Sequence, residues 1–265
     1  LSLVELERWS GQAAEGARLL EWCLLGGYPE VHARALPAER FYADYVATYL
    51  ERDVRSALQV RSLRDFDRFL RLLALRSGQL LSLQSLASDT GIAVNTAKSW
   101  LSVLEASNVI HLLPPYYRNL GKRLVKTPKV YFLDTGLLCF LLGIRAVAHL
   151  KTSSLLGAIF ETLALGQILR RFTNALEPLD LYFYRDHYGH EVDFVIPVGE
   201  KLRLIECKYA ELPGRIAGFV ELEKTLGAAA IVDRIVVTPR RAEIDLPDSG
   251  LRLRSVADPL GERAA

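Results

Sequence analysis

The chain has 265 residues, 50% hydrophobic and 24% charged, the balance of a folded globular protein rather than a disordered or fibrous one. Its 33 Lys and Arg against 31 Asp and Glu leave a net charge of +2, so whole-chain electrostatics select no partner and any nucleic-acid contact must be local. The longest apolar runs, such as 137–142, fall far short of the about 20 residues that cross a bilayer, and no secretion leader is visible; a soluble protein without a membrane partner is expected.

Cys23, Cys139 and Cys207 are odd in number, widely spaced and lack a C-x-x-C pair. That is poor material for a disulfide framework or a thiolate zinc site and fits a reducing cytoplasm. Met is absent and the first residue is Leu1, so the chain is expected to be a fragment whose start lies upstream.

Residues 1–76 read as a helical segment. Phe41, Tyr45, Thr48 and Tyr49 share one helical face, and Phe66, Phe69, Leu70, Leu72 and Leu73 repeat the spacing. Gly26-Gly27-Tyr28-Pro29 between them reads as a turn. Residues 80–88 predict a short helix with Leu83, Leu86 and Ala87 inward. A turn at Asp89-Thr90-Gly91-Ile92 follows, then a second helix over 95–106 with Ala97, Trp100, Leu101 and Leu104 inward. Two such helices, followed by apolar strands at 109–113 and 129–133, predict a winged helix over 77–145. Asp134-Thr135-Gly136 reads as a helix cap after the second strand.

Residues 143–154 are expected to be irregular and 155–172 a long helix. Strands are expected at 181–185, 191–196, 202–208 and 234–238, with a helix near 214–226 before the last of them. That order gives a mixed sheet over 146–265, and the whole chain reads as α/β in the mixed α+β sense. There is no internal repeat.

Three segments converge on one chemistry. Asp193 stands in a strand, with Val192 and Phe194 expected on the other face, and Glu206 lies near the end of the next strand with Lys208 two residues on. Antiparallel pairing would bring Asp193 and Glu206 to one end of the sheet, within reach of Glu161 on the preceding helix. Carboxylates beside a lysine suit a Mg²⁺ ion that keeps several waters and binds phosphate. The expected metal ligands are Asp193, Glu206 and Glu161, with Lys208 orienting a water or stabilising the charged phosphorane. His187 and His190 flank Gly189 nearby. Two turn histidines without a third make an ordinary loop the simpler reading, with His190 a candidate substrate contact.

Asp193, then Glu206-Cys207-Lys208, with Glu161 upstream, resembles the signature of the PD-(D/E)XK nuclease superfamily. The resemblance implies Mg²⁺ on the carboxylates and phosphodiester hydrolysis assisted by the lysine. The wider chain is similar to the C-terminal region of a prokaryotic AAA-type ATPase family that couples a P-loop ATPase to a winged helix and a nuclease-like domain. The matching stretches are Gly26-Gly27-Tyr28-Pro29, Glu51-Arg52-Asp53-Val54, 128–137, Gly157-Ala158-Ile159-Phe160-Glu161, Glu191-Val192-Asp193-Phe194 and Ile205-Glu206-Cys207-Lys208. No G-x-x-x-x-G-K-[ST] occurs, so ATP is expected only through a domain upstream, with residues 1–60 as its helical lid. The helix after Lys208 lacks the Gln often present in the nucleases, and no Pro precedes Asp193. Glu51-Arg52-Asp53 reads as a solvated helix face.

For the winged helix, DNA contact is expected from Asn95, Thr96, Lys98 and Ser99 on the outward face of the second helix, and from Arg118, Lys122, Arg123 and Lys126 on phosphates. Docking of another protein subunit is the competing role. The corresponding alternative for the whole chain is a binding and assembly module without catalysis.

Overall fold

A computed structural model describes residues 1–34, 36–50, 63–116, 126–209, 216–240 and 243–261. Arg118, Lys122, Arg123 and the Glu51-Arg52-Asp53 motif lie outside the described residues. The fold is mixed α+β, with a three-stranded and a six-stranded sheet.

The helical expectation for the N-terminal region holds. Helix α1 (Leu3–Ser10) opens on a capping box, Ser2 and Glu5 satisfying each other's backbone N–H groups, and ends at Gly11 in the left-handed region. Helix α2 (Gly16–Leu25) stops at Gly26, whose φ is +70°, and Pro29 at the first position starts α3 (Pro29–Ala33). Helices α4 (Ala38–Tyr45) and α5 (Leu63–Ala74) follow, α4 running on into one π turn over Val46–Leu50. Phe66, Phe69, Leu70 and Leu73 form the buried stripe of α5, as their spacing predicts.

Next come β1 (Gln79–Leu80), α6 (Leu83–Thr90), α7 (Val94–Ala106), β2 (Ile110–Leu113), β3 (Lys129–Phe132) and α8 (Thr135–Leu141). Helix α6 starts later than expected because Gln79 and Leu80 pair with β3, and the Ser82 hydroxyl accepts the Ser85 N–H as N-cap. It also runs two residues further, so the turn sits at Gly91, with φ +83°. The inward residues of α7 are the expected four, and Trp100 lies edge-on to Phe66 and Phe69, both at 5.3 Å between centroids. The strands order β1-β3-β2.

The stretch 143–154 is not wholly irregular. Residues Val147–Thr152 form α9, anchored by buried Leu150; no Gly or Pro interrupts them. Helix α10 (Leu156–Ala175) leads to β4 (Tyr182–Arg185), β5 (Glu191–Val198), β6 (Lys201–Cys207), α11 (Ala217–Leu226), β7 (Ile231–Thr238), β8 (Ile244–Leu246) and β9 (Leu251–Ser255). The sheet order is β4-β5-β6-β7-β9-β8; β6, β7 and β9 run parallel and the other pairs are antiparallel. Strands β8 and β9 extend the expected sheet. Helix α11 lies against β5 so closely that a Cβ on Gly218 would fall 1.8 Å from the Glu191 carbonyl oxygen, which only glycine permits. One apolar cluster joins Val192, Val195, Leu204 and Val236 of the sheet to Phe219 and Leu222 of α11.

The chain divides into two compact units. The first comprises Leu1, Leu20–Leu112 and Lys129–Thr162; the second comprises Ser2–Leu19, Leu113–Pro128 and Leu163–Ala265.

Candidate functional site

Strands β5 and β6 pair antiparallel from Val198↔Lys201 to Phe194↔Ile205. Asp193 and Glu206 each stand one residue beyond that last pair, so both carboxylates emerge at the same end of the hairpin, as expected. Both residues are 8% exposed. The Cys207 N–H donates to Asp193 Oδ2 at 2.8 Å, which fixes the Asp193 rotamer across the strand gap. On the other side of β5, Tyr182 pairs with Val195 but Tyr184 pairs with Val192, so β5 carries one extra residue at Asp193 or Phe194. This bulge corrects the simple alternation expected from sequence: Val192 and Val195 share one core cluster although three residues separate them.

Lys208 follows the end of β6, where its N–H donates to the Val237 carbonyl at 2.9 Å and keeps the backbone in register with β7. Its Nζ donates to Glu206 Oε1 at 2.7 Å. Burial works against the ammonium, but the hydrogen bond and charge of Glu206, with Asp193 adding to them, outweigh it and raise the Lys208 pKa above its ordinary value. Lys208 is therefore a cation at neutral pH, a donor rather than a base.

Glu161 is placed differently from its partners in the sequence reading. It lies in α10 within the first unit, where its Oε1 accepts from Lys129 Nζ at 3.0 Å and from the Tyr131 hydroxyl. Lys129 is 1% exposed, so this is a buried ion pair clasping α10 to β3. Asp193, Glu206 and Lys208 belong to the second unit. Among the described residues no group of three or more His, Cys, Asp or Glu is placed to hold a metal ion. Two buried carboxylates are nevertheless compatible with Mg²⁺, which commonly takes one or two protein carboxylates and completes its shell with water and phosphate oxygens.

The sequence reading passed over Asp186. Its Oδ2 meets His190 Nδ1 at 2.7 Å, and its Oδ1 accepts the N–H groups of Tyr188 and His190, both at 2.9 Å. Burial opposes ionisation there, but these bonds win and hold the Asp186 carboxyl below its ordinary pKa. The available signal was local: an Asp three residues before a Gly is a common way to close a turn. Beside it, burial first, then the charges of Asp186 and Glu221, push the Tyr184 phenol up to about 12.

In the first unit, Asn95, Lys98 and Ser99 face solvent on α7 as expected, with Thr96 half-buried, and Lys126 is exposed. Asp134 is the predicted cap: its Oδ1 accepts the Leu137 N–H at 2.8 Å. It also accepts the Tyr42 hydroxyl at 2.7 Å and the Gly27 N–H at 2.7 Å, tying together α8, α4 and the α2–α3 turn. No described helix is long and apolar enough to cross a membrane.

Residues 156–256 match a domain of unknown function, DUF4143, which is found in C-terminal regions associated with AAA ATPases. The uncharacterized protein Mb2031c of Mycobacterium bovis and the uncharacterized protein Rv2008c of Mycobacterium tuberculosis are each 34% identical over 206 residues. That stretch covers 77% of this chain and 42% of each relative, so the chain spans less than half the length of these proteins. Protein VC1899 from Vibrio cholerae, whose crystal structure is solved, is similar at a TM-score of 0.27 and 16% identity, over 88% of this chain and 54% of that one. Residues 16–148, half of the chain, match a second domain of unknown function, and the chain accordingly belongs to the DUF8612 family.

Proposed function

We propose that the second unit is a Mg²⁺-dependent phosphodiester hydrolase acting on nucleic acid, and that the helix-turn-helix of the first unit is a winged helix that binds DNA. One observation carries the catalytic reading. Two buried carboxylates, Asp193 and Glu206, leave the same end of adjacent strands, with a lysine ammonium 2.7 Å from one of them. Neighbouring buried carboxylates repel, and a divalent cation relieves that repulsion better than one ammonium does. Asp193 and Glu206 would hold the ion. When bound, it would acidify a water and offset charge on the phosphate.

The remaining work falls to the chain itself. The Cys207 N–H holds Asp193 in one rotamer at the strand end it shares with Glu206. Lys208, kept protonated, donates to an equatorial phosphate oxygen as negative charge builds there, so it stabilises the transition state and takes no proton. In this reading Glu161 supports the first unit's interior and is not a third ligand. Asn95 and Lys98 on α7, with Lys126, would contact the DNA backbone. The AAA-type ATPase associated with such C-terminal regions would supply ATP binding from outside this chain.

Cleavage of fluorescent single-stranded and duplex DNA with Mg²⁺ or Mn²⁺ tests the reading. Wild type should cut, Asp193→Ala should not, and Lys208→Ala should lose most of the rate without losing DNA affinity. If wild type binds DNA but leaves it intact at every metal concentration, the assembly-module alternative replaces this one.

A further inference from the structure

The β4–β5 hairpin closes through Asp186-His187-Tyr188-Gly189-His190, and one carboxylate organises the whole tip. Asp186 accepts two backbone N–H groups and the His190 imidazole, while its own N–H donates to the His190 carbonyl at 3.1 Å. Gly189, at φ +87°, supplies the left-handed step that lets the chain turn back. The result is a tied loop that pushes Tyr188 outward: the residue is 77% exposed, with its ring centroid 6.3 Å from that of His190 at 48°. A shallow cleft of about 260 Å³ adjoins it, lined by His190, Ala217, Val220, Glu221 and Lys224.

A single exposed aromatic is ordinary. This one differs in three ways: its backbone is fixed before any partner arrives, a second ring stands beside it, and Asp193 lies five residues on, in the strand the turn leads into. Around the tip Arg185 is paired with Glu191 and Lys224 with Glu221, and Asp186 adds a carboxylate, so the tip offers phosphate little net attraction. What it offers is the face of a ring.

We propose that Tyr188, backed by His190, is a stacking platform for an unpaired nucleobase, which makes single-stranded or locally unpaired nucleic acid the substrate class of the candidate centre. The proposal rests on the hydrolase reading above. Every base has a π face, but in a duplex the neighbouring bases cover it, so a stacking platform selects strands whose bases are free. Orienting Tyr188 in advance lowers the ordering cost of that contact.

The test is fluorescence anisotropy of the full chain with labelled oligo-dT and a duplex of equal length, in EDTA so that no cutting intervenes. Wild type should bind oligo-dT. Tyr188→Ala should weaken oligo-dT binding about 5- to 150-fold, the range expected for one lost base–aromatic stack, while leaving the duplex affinity unchanged. Tyr188→Phe, which keeps the ring, should bind as wild type. Because stacking releases no counterions, the slope of log affinity against log salt should be the same for wild type and Tyr188→Ala. An unaltered oligo-dT affinity in Tyr188→Ala, a duplex affinity that falls equally in that variant, or a changed salt slope each overturns the platform. The two readings fail separately: absent metal-dependent cutting with the Tyr188 effect intact removes the hydrolase alone, and cutting by wild type with Tyr188→Ala binding normally removes the platform alone.

Discussion

Asp134 and Asp193 are both buried aspartates, one in each unit, and their surroundings differ. Asp134 gathers donors from three elements, a phenol and two backbone N–H groups, so its charge is spread over bonds that the fold itself supplies. Asp193 takes the Cys207 N–H and shares its strand end with another carboxylate. A carboxylate ringed by donors from several elements holds a structure together; under the hydrolase proposal, two carboxylates at one strand end would instead share a cation.

Substituting the two aspartates should separate these roles most sharply. Asp134→Ala strands the Gly27 and Leu137 N–H groups, while the Tyr42 hydroxyl keeps the Leu25 carbonyl at 2.8 Å; it should cost about 2–4 kcal/mol, read as a lower midpoint in urea. Asp193→Ala removes the carboxylate that the Cys207 N–H donates to, and metal-dependent cleavage should vanish while the protein still folds. Equal destabilisation by both would erase the contrast.

Gly218→Ala tests the second unit from behind the site. Its methyl group would meet backbone, not a movable side chain, so α11 must lift from β5 at about 1–3 kcal/mol. A smaller loss of cleavage should accompany it as β5 shifts. In the first unit one group links stability to mild acid. His111 on β2 is held neutral by burial, which lowers its pKa below 6.5. The unfolded chain therefore takes up a proton first as pH falls, and stability present above about pH 6.5 declines below it. His111→Leu should flatten that part of the pH–stability curve. The smallest effect is expected at Lys98. Lys98→Ala should weaken duplex binding uniformly across sequences and reduce the salt slope by about 1, with no change in cutting of single strands.

Much of this was legible in the residues. The stripe of α5, the four inward positions of α7 and the Asp134 cap follow from periodicity and side-chain chemistry that act within one turn. The strand-end pairing of Asp193 with Glu206 was also readable, because two short apolar runs with a tight turn fix their own register. What escaped depended on partners distant in sequence. The role of Glu161 is decided by Lys129 and Tyr131, about thirty positions away, and nothing near it in the chain points to them. The bulge that places Val192 and Val195 on one side arises from pairing with β4. Strand β9 does alternate, Leu251 and Leu253 in, Arg252 out, but the run is only five residues and follows a polar stretch.

The phenol of Tyr42 leaves a mark on two other positions. A methyl group at either Gly26 or Gly136 would fall within 2.3 Å of its hydroxyl oxygen, although these glycines are 110 positions apart. Shrinking the tyrosine would therefore relieve Gly136, whereas Gly26 would stay confined by its left-handed backbone angle and by Asp134 Oδ1, 2.4 Å from where a Cβ would stand.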